Sequence, residues 1–163
     1  LGFGMKVIYH QRNPLSAADA APLGARYVDK ATLLREADHL ILVLPYSPAS
    51  HHAIGAAELA LMKPTATLTN VARGGIVDDA ALAQALCERR IAAAGLDVFE
   101  NEPAVHPDLL TLPNVVLLPH VGSATEATRR AMVGRAADNL IAVLTGGVPP
   151  TPINPEVLPR RST

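Results

Sequence analysis

With 163 residues, 49% of them hydrophobic, the chain can bury the core of one domain, or of one domain plus a piece of another. A formal net charge of -1 gives no electrostatic reason to expect nucleic acid or an anionic membrane as a partner. The single cysteine, Cys87, excludes an internal disulfide and points to the reducing cytoplasm, and no apolar run approaches the ~20 residues of a membrane span. Aromatic residues are scarce (3%) while Ala, Leu and Val abound, a mix that lets helices lie close against a sheet.

In chain order, Lys6–His10 (KVIYH) reads as a strand. Gly2 and Gly4 precede it, which is the wrong order for a phosphate-binding glycine turn; that turn should follow a strand and open a helix. They read instead as the stop of an earlier helix. A polar, proline-containing stretch leads to a short extended piece at Ala25–Val28. Asp29 then caps a helix over Lys30–Ala37, with Leu33 and Leu34 facing the core. His39–Leu44 (HLILVL) is continuously apolar, as in a strand buried on both faces, and Pro45 and Pro48 end it. A helix over Ala56–Met62 and a strand over Ala66–Asn70 follow. Asp78 caps a helix over Asp79–Arg89, whose apolar stripe includes Cys87 as a small hydrophobe. Ile91–Val98 and Val115–Leu118 are further strands. Ser123 and Glu126 form a capping box for a long helix to Leu144, stopped by Gly146, Gly147 and Pro149 ahead of an irregular tail. Strands regularly separated by helices predict an α/β fold: a Rossmann-like parallel sheet with helices on both faces.

In an open parallel sheet, ligands bind beyond the carboxyl ends of the strands. Arg73, Asp97 and His120 follow the ends of three successive predicted strands, and the turn after Asp97 carries Glu102. Each has a bland alternative: Arg73 as a solvated loop cation, Glu102 as a surface acid, His120 as a partly buried side chain with its polar atoms satisfied. Their placement on one sheet edge favours a shared role. The set also suits one reaction, reduction of a 2-oxo acid. A guanidinium holds the carboxylate bidentately, an imidazolium donates a proton to the carbonyl oxygen as hydride arrives at carbon, and a carboxylate stabilises that imidazolium. Arg73, His120 and Glu102 supply those roles in that order, and all three are expected around one carbonyl group. His51 and His52 have no third ligand at metal spacing and read as solvated histidines, so no metal is expected; His106 reads as a loop residue.

The segments NVARGGIVDDAALAQAL, AAAGLDVFENEP and LLPHVGSATEATR closely resemble the D-isomer-specific 2-hydroxyacid dehydrogenase family. With their spacing they cover the chain from about His39 to Leu144. The resemblance implies Arg73 as the substrate-binding residue, Glu102 rather than Glu100 as the partner of the catalytic histidine, and His120 as proton donor. It also implies that Asp97 holds the nicotinamide carboxamide, that backbone around Leu44, Pro45, Val71 and Ala72 lines the cofactor cleft, and that Gly122 borders the nicotinamide. The finer likeness, in H-V-G-S-A-T and the terminal INPEVL, is to the glyoxylate/hydroxypyruvate reductase branch, which includes 2-ketogluconate reductases. Members are commonly dimers, so a homodimer acting on a small-molecule 2-oxo acid is expected.

NAD enzymes place an acid at the end of the second strand to bond the ribose hydroxyls. His10, Gln11, Arg12 and Asn13 stand there instead, and Arg12 would attract the extra phosphate, so NADP(H) is the expected cofactor with NAD(H) possible. The family's first strand and glycine-rich loop would precede Leu1, and its substrate domain would precede those. The sequence thus reads as an N-terminally incomplete cofactor-binding domain over residues 1–123, with residues 124–163 as the crossover helix and tail of the substrate domain. Two other functions stay open: an NAD(P)-sensing protein of corepressor type, and an inactive remnant.

Overall fold

The computed structural model describes residues 2–161, and Leu1, Ser162 and Thr163 lie outside the described residues. The chain divides into two compact units, Leu1–Pro119 and His120–Thr163.

The first unit carries two parallel sheets. β1 (Ile8–Tyr9) pairs with β2 (Arg26–Tyr27), and the edge-to-face rings of Tyr9 and Tyr27, with centroids 5.5 Å apart, pack on that pair. The polar stretch between them holds a short helix that the sequence reading left unassigned, α1 (Ala17–Ala20), followed by a 3-10 turn at Ala21–Leu23. Ser16 starts α1 by accepting the Asp19 N–H.

The larger sheet has the order β3 (His39–Leu42), β4 (Thr67–Asn70), β5 (Ala93–Leu96), β6 (Val115–Leu117), all parallel. Its register puts Leu40, Leu68, Ala94 and Val115 in one row and Leu42, Asn70, Leu96 and Leu117 in the next. Both rows turn to the same face. There Leu34 of α2 (Lys30–Glu36), Leu59 of α3 (Ala56–Leu59), and Leu82 and Leu86 of α4 (Asp79–Cys87) join them in a single apolar cluster. The side chains of Asp29 and Asp78 start α2 and α4 by accepting the N–H groups of Thr32 and Ala81. The Rossmann-like reading therefore holds: a parallel sheet flanked by helices.

Burial along β3 corrects one expectation. The strand alternates, with Leu40 and Leu42 buried while Ile41 is 59% and Val43 78% exposed, so it is covered on one face instead of both. An unbroken apolar run does not say how many layers lie over it. Cys87 also differs: as the last residue of α4 it is exposed, outside the stripe formed by Leu82 and Leu86.

The second unit is dominated by α5 (Glu126–Leu144). Its cap is Thr125, whose hydroxyl accepts the Thr128 N–H at 3.2 Å, and not Ser123. The sequence S-A-T-E offers two hydroxyl caps, and the one directly before the first helical residue is used. Glu126 therefore occupies the first turn itself, where it pairs with Arg130 at 2.8 Å. The C-terminus closes as expected at its glycines: Gly146 (φ 77) donates to Val143 O and Gly147 to Ala142 O, the paired bonds of a Schellman stop. The tail is more regular than expected, with a 3-10 helix at Pro155–Arg161, and Thr151 is tied back to Asn139 by two hydrogen bonds of 2.8 and 3.0 Å.

Candidate active site

Parallel strands put the carboxyl ends of β3 to β6 on one edge, and the loops leaving that edge carry the predicted chemistry. Asn70, the last residue of β4 and 1% exposed, shapes the first of them. Its side-chain oxygen accepts the Ala72 N–H at 3.1 Å and its amide donates to the Arg73 carbonyl at 3.1 Å, so one buried amide fixes the turn Val71–Arg73. Its own carbonyl accepts the Asp97 N–H at 3.0 Å, joining this turn to the end of β5. Arg73 is exposed, with its guanidinium folded back to donate to Ala72 O at 2.6 Å.

The next residue explains the double glycine. A Cβ on Gly74 would lie 1.7 Å from the Phe99 carbonyl oxygen, so only glycine lets the Arg73 loop touch the loop after β5. That second loop carries Glu102, whose carboxylate accepts the Phe99 N–H at 2.9 Å. The adjoining Glu100 N–H is taken by Asp79 Oδ2 at 3.0 Å. Asp79 is 6% exposed, and burial pushes its carboxyl above the ordinary range; the Glu100 N–H offsets part of that, and the nearby Glu100 charge adds to it. Arg73 and Glu102 thus stand on two loops in direct contact. Asp97, 7% exposed, closes β5 just before Phe99.

His120 is the first residue of the second unit. It is exposed, with φ 53, and its left-handed backbone turns the chain before Gly122 and α5.

Of the predicted cofactor residues, Gln11, Arg12, Asn13, Leu44 and Pro45 all line one open hollow of ≈ 990 Å³ between the ends of β1 and β3. Val71, Ala72 and Asp97 are not among its walls, and lie on the loops just described.

Matching a profile of the D-isomer specific 2-hydroxyacid dehydrogenase NAD binding domain against the chain covers residues 1–122. The chain belongs to this family. The glyoxylate/hydroxypyruvate reductase B of Enterobacter agglomerans is 52% identical over 158 residues, covering 96% of this chain and 49% of that protein. The glyoxylate reductase of Thermococcus litoralis is 50% identical, over 96% of this chain and 47% of its own length. Among solved structures, the NADPH-dependent glyoxylate/hydroxypyruvate reductase of Sinorhizobium meliloti, in complex with NADP and malonate, superposes with a TM-score of 0.83 at 42% identity, over 94% of this chain and 47% of that one. The chain spans about half the length of the relatives it matches.

Three supporting residues escaped the sequence reading. In sequence Asn70 and Asp79 read as a strand end and a helix start, although a polar residue closing an apolar strand is the available signal for Asn70. Glu100 was set aside in favour of Glu102. The fold brings it to His52, Nε2 to Oε1 2.7 Å, and so supplies the third group that the pair His51–His52 lacked in sequence.

Proposed function

We propose that the protein reduces small 2-oxo acids, glyoxylate or hydroxypyruvate first and 2-ketogluconate as a further candidate, with NADPH as hydride donor and NADH as a weaker substitute. The observation that carries the reading is the contact between the Arg73 and Glu102 loops at the carboxyl edge of a dehydrogenase-family sheet, made by Gly74 against Phe99. Arg73 holds the substrate carboxylate, His120 delivers the proton to the carbonyl oxygen, and Glu102 stabilises the imidazolium. Asp97, Val71, Ala72, Gly122 and the hollow at Gln11–Asn13, Leu44 and Pro45 receive the dinucleotide. When bound, it supplies the hydride. Arg12, with no acid beside it in Gln11–Asn13, favours the phosphate of NADP, and the Sinorhizobium relative was solved with that cofactor. Residues 1–123 serve as the cofactor-binding domain and residues 124–163 belong with the substrate domain; the family match, which ends at residue 122, supports that boundary. The assembly is a cytoplasmic homodimer, with neither nucleic acid nor membrane as a partner.

The test follows NADPH absorbance with glyoxylate, hydroxypyruvate and 2-ketogluconate, using the protein at the full length its reading frame encodes. Loss of a charge-assisted contact worth ~2–3 kcal/mol makes Arg73→Ala ~30–150-fold poorer in kcat/KM. His120→Ala loses about 10²–10⁴ in kcat. Arg12→Asp shifts preference toward NADH. Turnover indifferent to Arg73→Ala, or no turnover with any of the three acids, would overturn the proposal.

A further inference from the structure

Tyr46, His51 and His52, from one short stretch of the chain, meet Asp78 and Glu100 beside the Arg73 loop. We propose that His51, His52 and Glu100 bind a divalent transition-metal ion of the zinc, nickel and cobalt class. One donor atom from each residue lies within 4.8 Å of the others. Two imidazoles and a carboxylate are a donor set that suits such ions and is too nitrogen-rich for magnesium.

The orientation of the donors, more than their proximity, makes the case. Each imidazole has one nitrogen facing an oxygen. His51 Nδ1 lies 3.2 Å from the Tyr46 hydroxyl, which leaves Nε2 free to ligate. His52 Nδ1 faces Asp78 Oδ2 at 3.7 Å, while its Nε2 points to Glu100 Oε1 at 2.7 Å. Metal-bound histidines are held in this way, one nitrogen on the ion and the other on an orienting oxygen. The two rings stack with centroids 3.9 Å apart and planes 23° from parallel. A tetrahedral ion with bonds of ~2.0–2.1 Å separates its ligands by roughly 3.3 Å. The His52–Glu100 gap must therefore open by about 0.6 Å, with the cation replacing the proton of that hydrogen bond.

The backbone is committed to the same arrangement. His52 adopts φ 48, a left-handed conformation uncommon among residues with a side chain, although histidine is one of those that enter it more readily. Its N–H is fixed to Gly75 O at 2.7 Å, and the Glu100 N–H to Asp79. Gly75 keeps room for the cluster: a Cβ there would meet Tyr46 Cε2 at 3.0 Å and His51 Nδ1 at 3.5 Å. The three ligands are exposed or half-buried, so an ion can enter from solvent.

The inference does not depend on the enzymatic reading and can be tested by binding alone. Untagged chain, freed of metal with a chelator, is titrated calorimetrically near neutral pH with zinc chloride, then with magnesium chloride. Cobalt chloride, followed by its visible absorption, reports the coordination. Expected are one zinc per chain and no magnesium uptake. His51→Ala and Glu100→Gln should each weaken zinc at least tenfold, while His39→Ala leaves it unchanged. His51 is exposed, so its variant decides the matter even if Glu100→Gln fails to fold. Absence of saturable zinc binding, or binding that survives His51→Ala, would overturn the proposal.

Discussion

Gly74→Ala is the sharpest perturbation the fold offers. The added methyl would stand 1.7 Å from the Phe99 oxygen, 2.1 Å from its carbonyl carbon and 2.8 Å from the Glu100 nitrogen, all backbone atoms. The obstructing peptide cannot swing aside, because it is anchored on both sides: the Phe99 N–H to Glu102 and the Glu100 N–H to Asp79. Overpacking costs typically ~1–3 kcal/mol, and a clash with pinned backbone belongs at the upper end. For a chain of this size ~3 kcal/mol lowers Tm by about 6–12 °C. Gly134→Ala is the matched control, since it lies within α5 with nothing within 4 Å of its added Cβ. Replacing glycine in a helix interior should gain ~1 kcal/mol and raise Tm by about 2–4 °C. Thermal melts followed by far-ultraviolet circular dichroism read both. If Gly74→Ala melts with the parent, the close contact between the two loops is wrong, and the support it lends to Arg73 and Glu102 goes with it.

Asp79 has a pH signature. Because its carboxyl is raised by burial, the folded chain holds the proton more tightly than the unfolded one, so its ionisation opposes folding as pH rises from about the ordinary value of 3.8 through the folded one. Asp79→Asn keeps an oxygen for the Glu100 N–H; urea titrations should find it at least as stable as the parent at neutral pH, with the advantage vanishing below that window. Asn70→Ala leaves the N–H of buried Ala72 without its acceptor, and should cost ~1–3 kcal/mol in the same assay. Thr125→Ala should cost ~1 kcal/mol through the lost helix cap, whereas Ser123→Ala should change stability by less than ~0.5 kcal/mol; the reverse order would restore Ser123 as the cap.

Local signals were the legible ones. Asp29 and Asp78 announce their helices because a cap acts on a backbone N–H three residues ahead, within reach of a short reading window. The strands at His39, Thr67 and Val115 follow from apolar runs bounded by turn residues, and their parallel order follows from the helices between them. Relations across long separations were not legible. Glu100 meets His52 from 48 residues away, and nothing in ENEP announces that contact. The one-sided burial of β3 depends on what lies over the sheet, and the exposure of Cys87 on where the last turn of α4 ends. The S-A-T-E stretch pointed to Ser123 through its capping-box spacing, and the backbone uses Thr125 instead.

The tie between Gly74 and Phe99 also bears on how relatives can diverge. Residues 70–79 and 97–102 are interlocked by a missing side chain on one and two anchored amides on the other. A graft that imports only one of these segments from a homologue with a different backbone path would jam against the other. Specificity in this lineage should therefore be inherited by the two segments as a linked pair, and recombination breakpoints between them should be poorly tolerated.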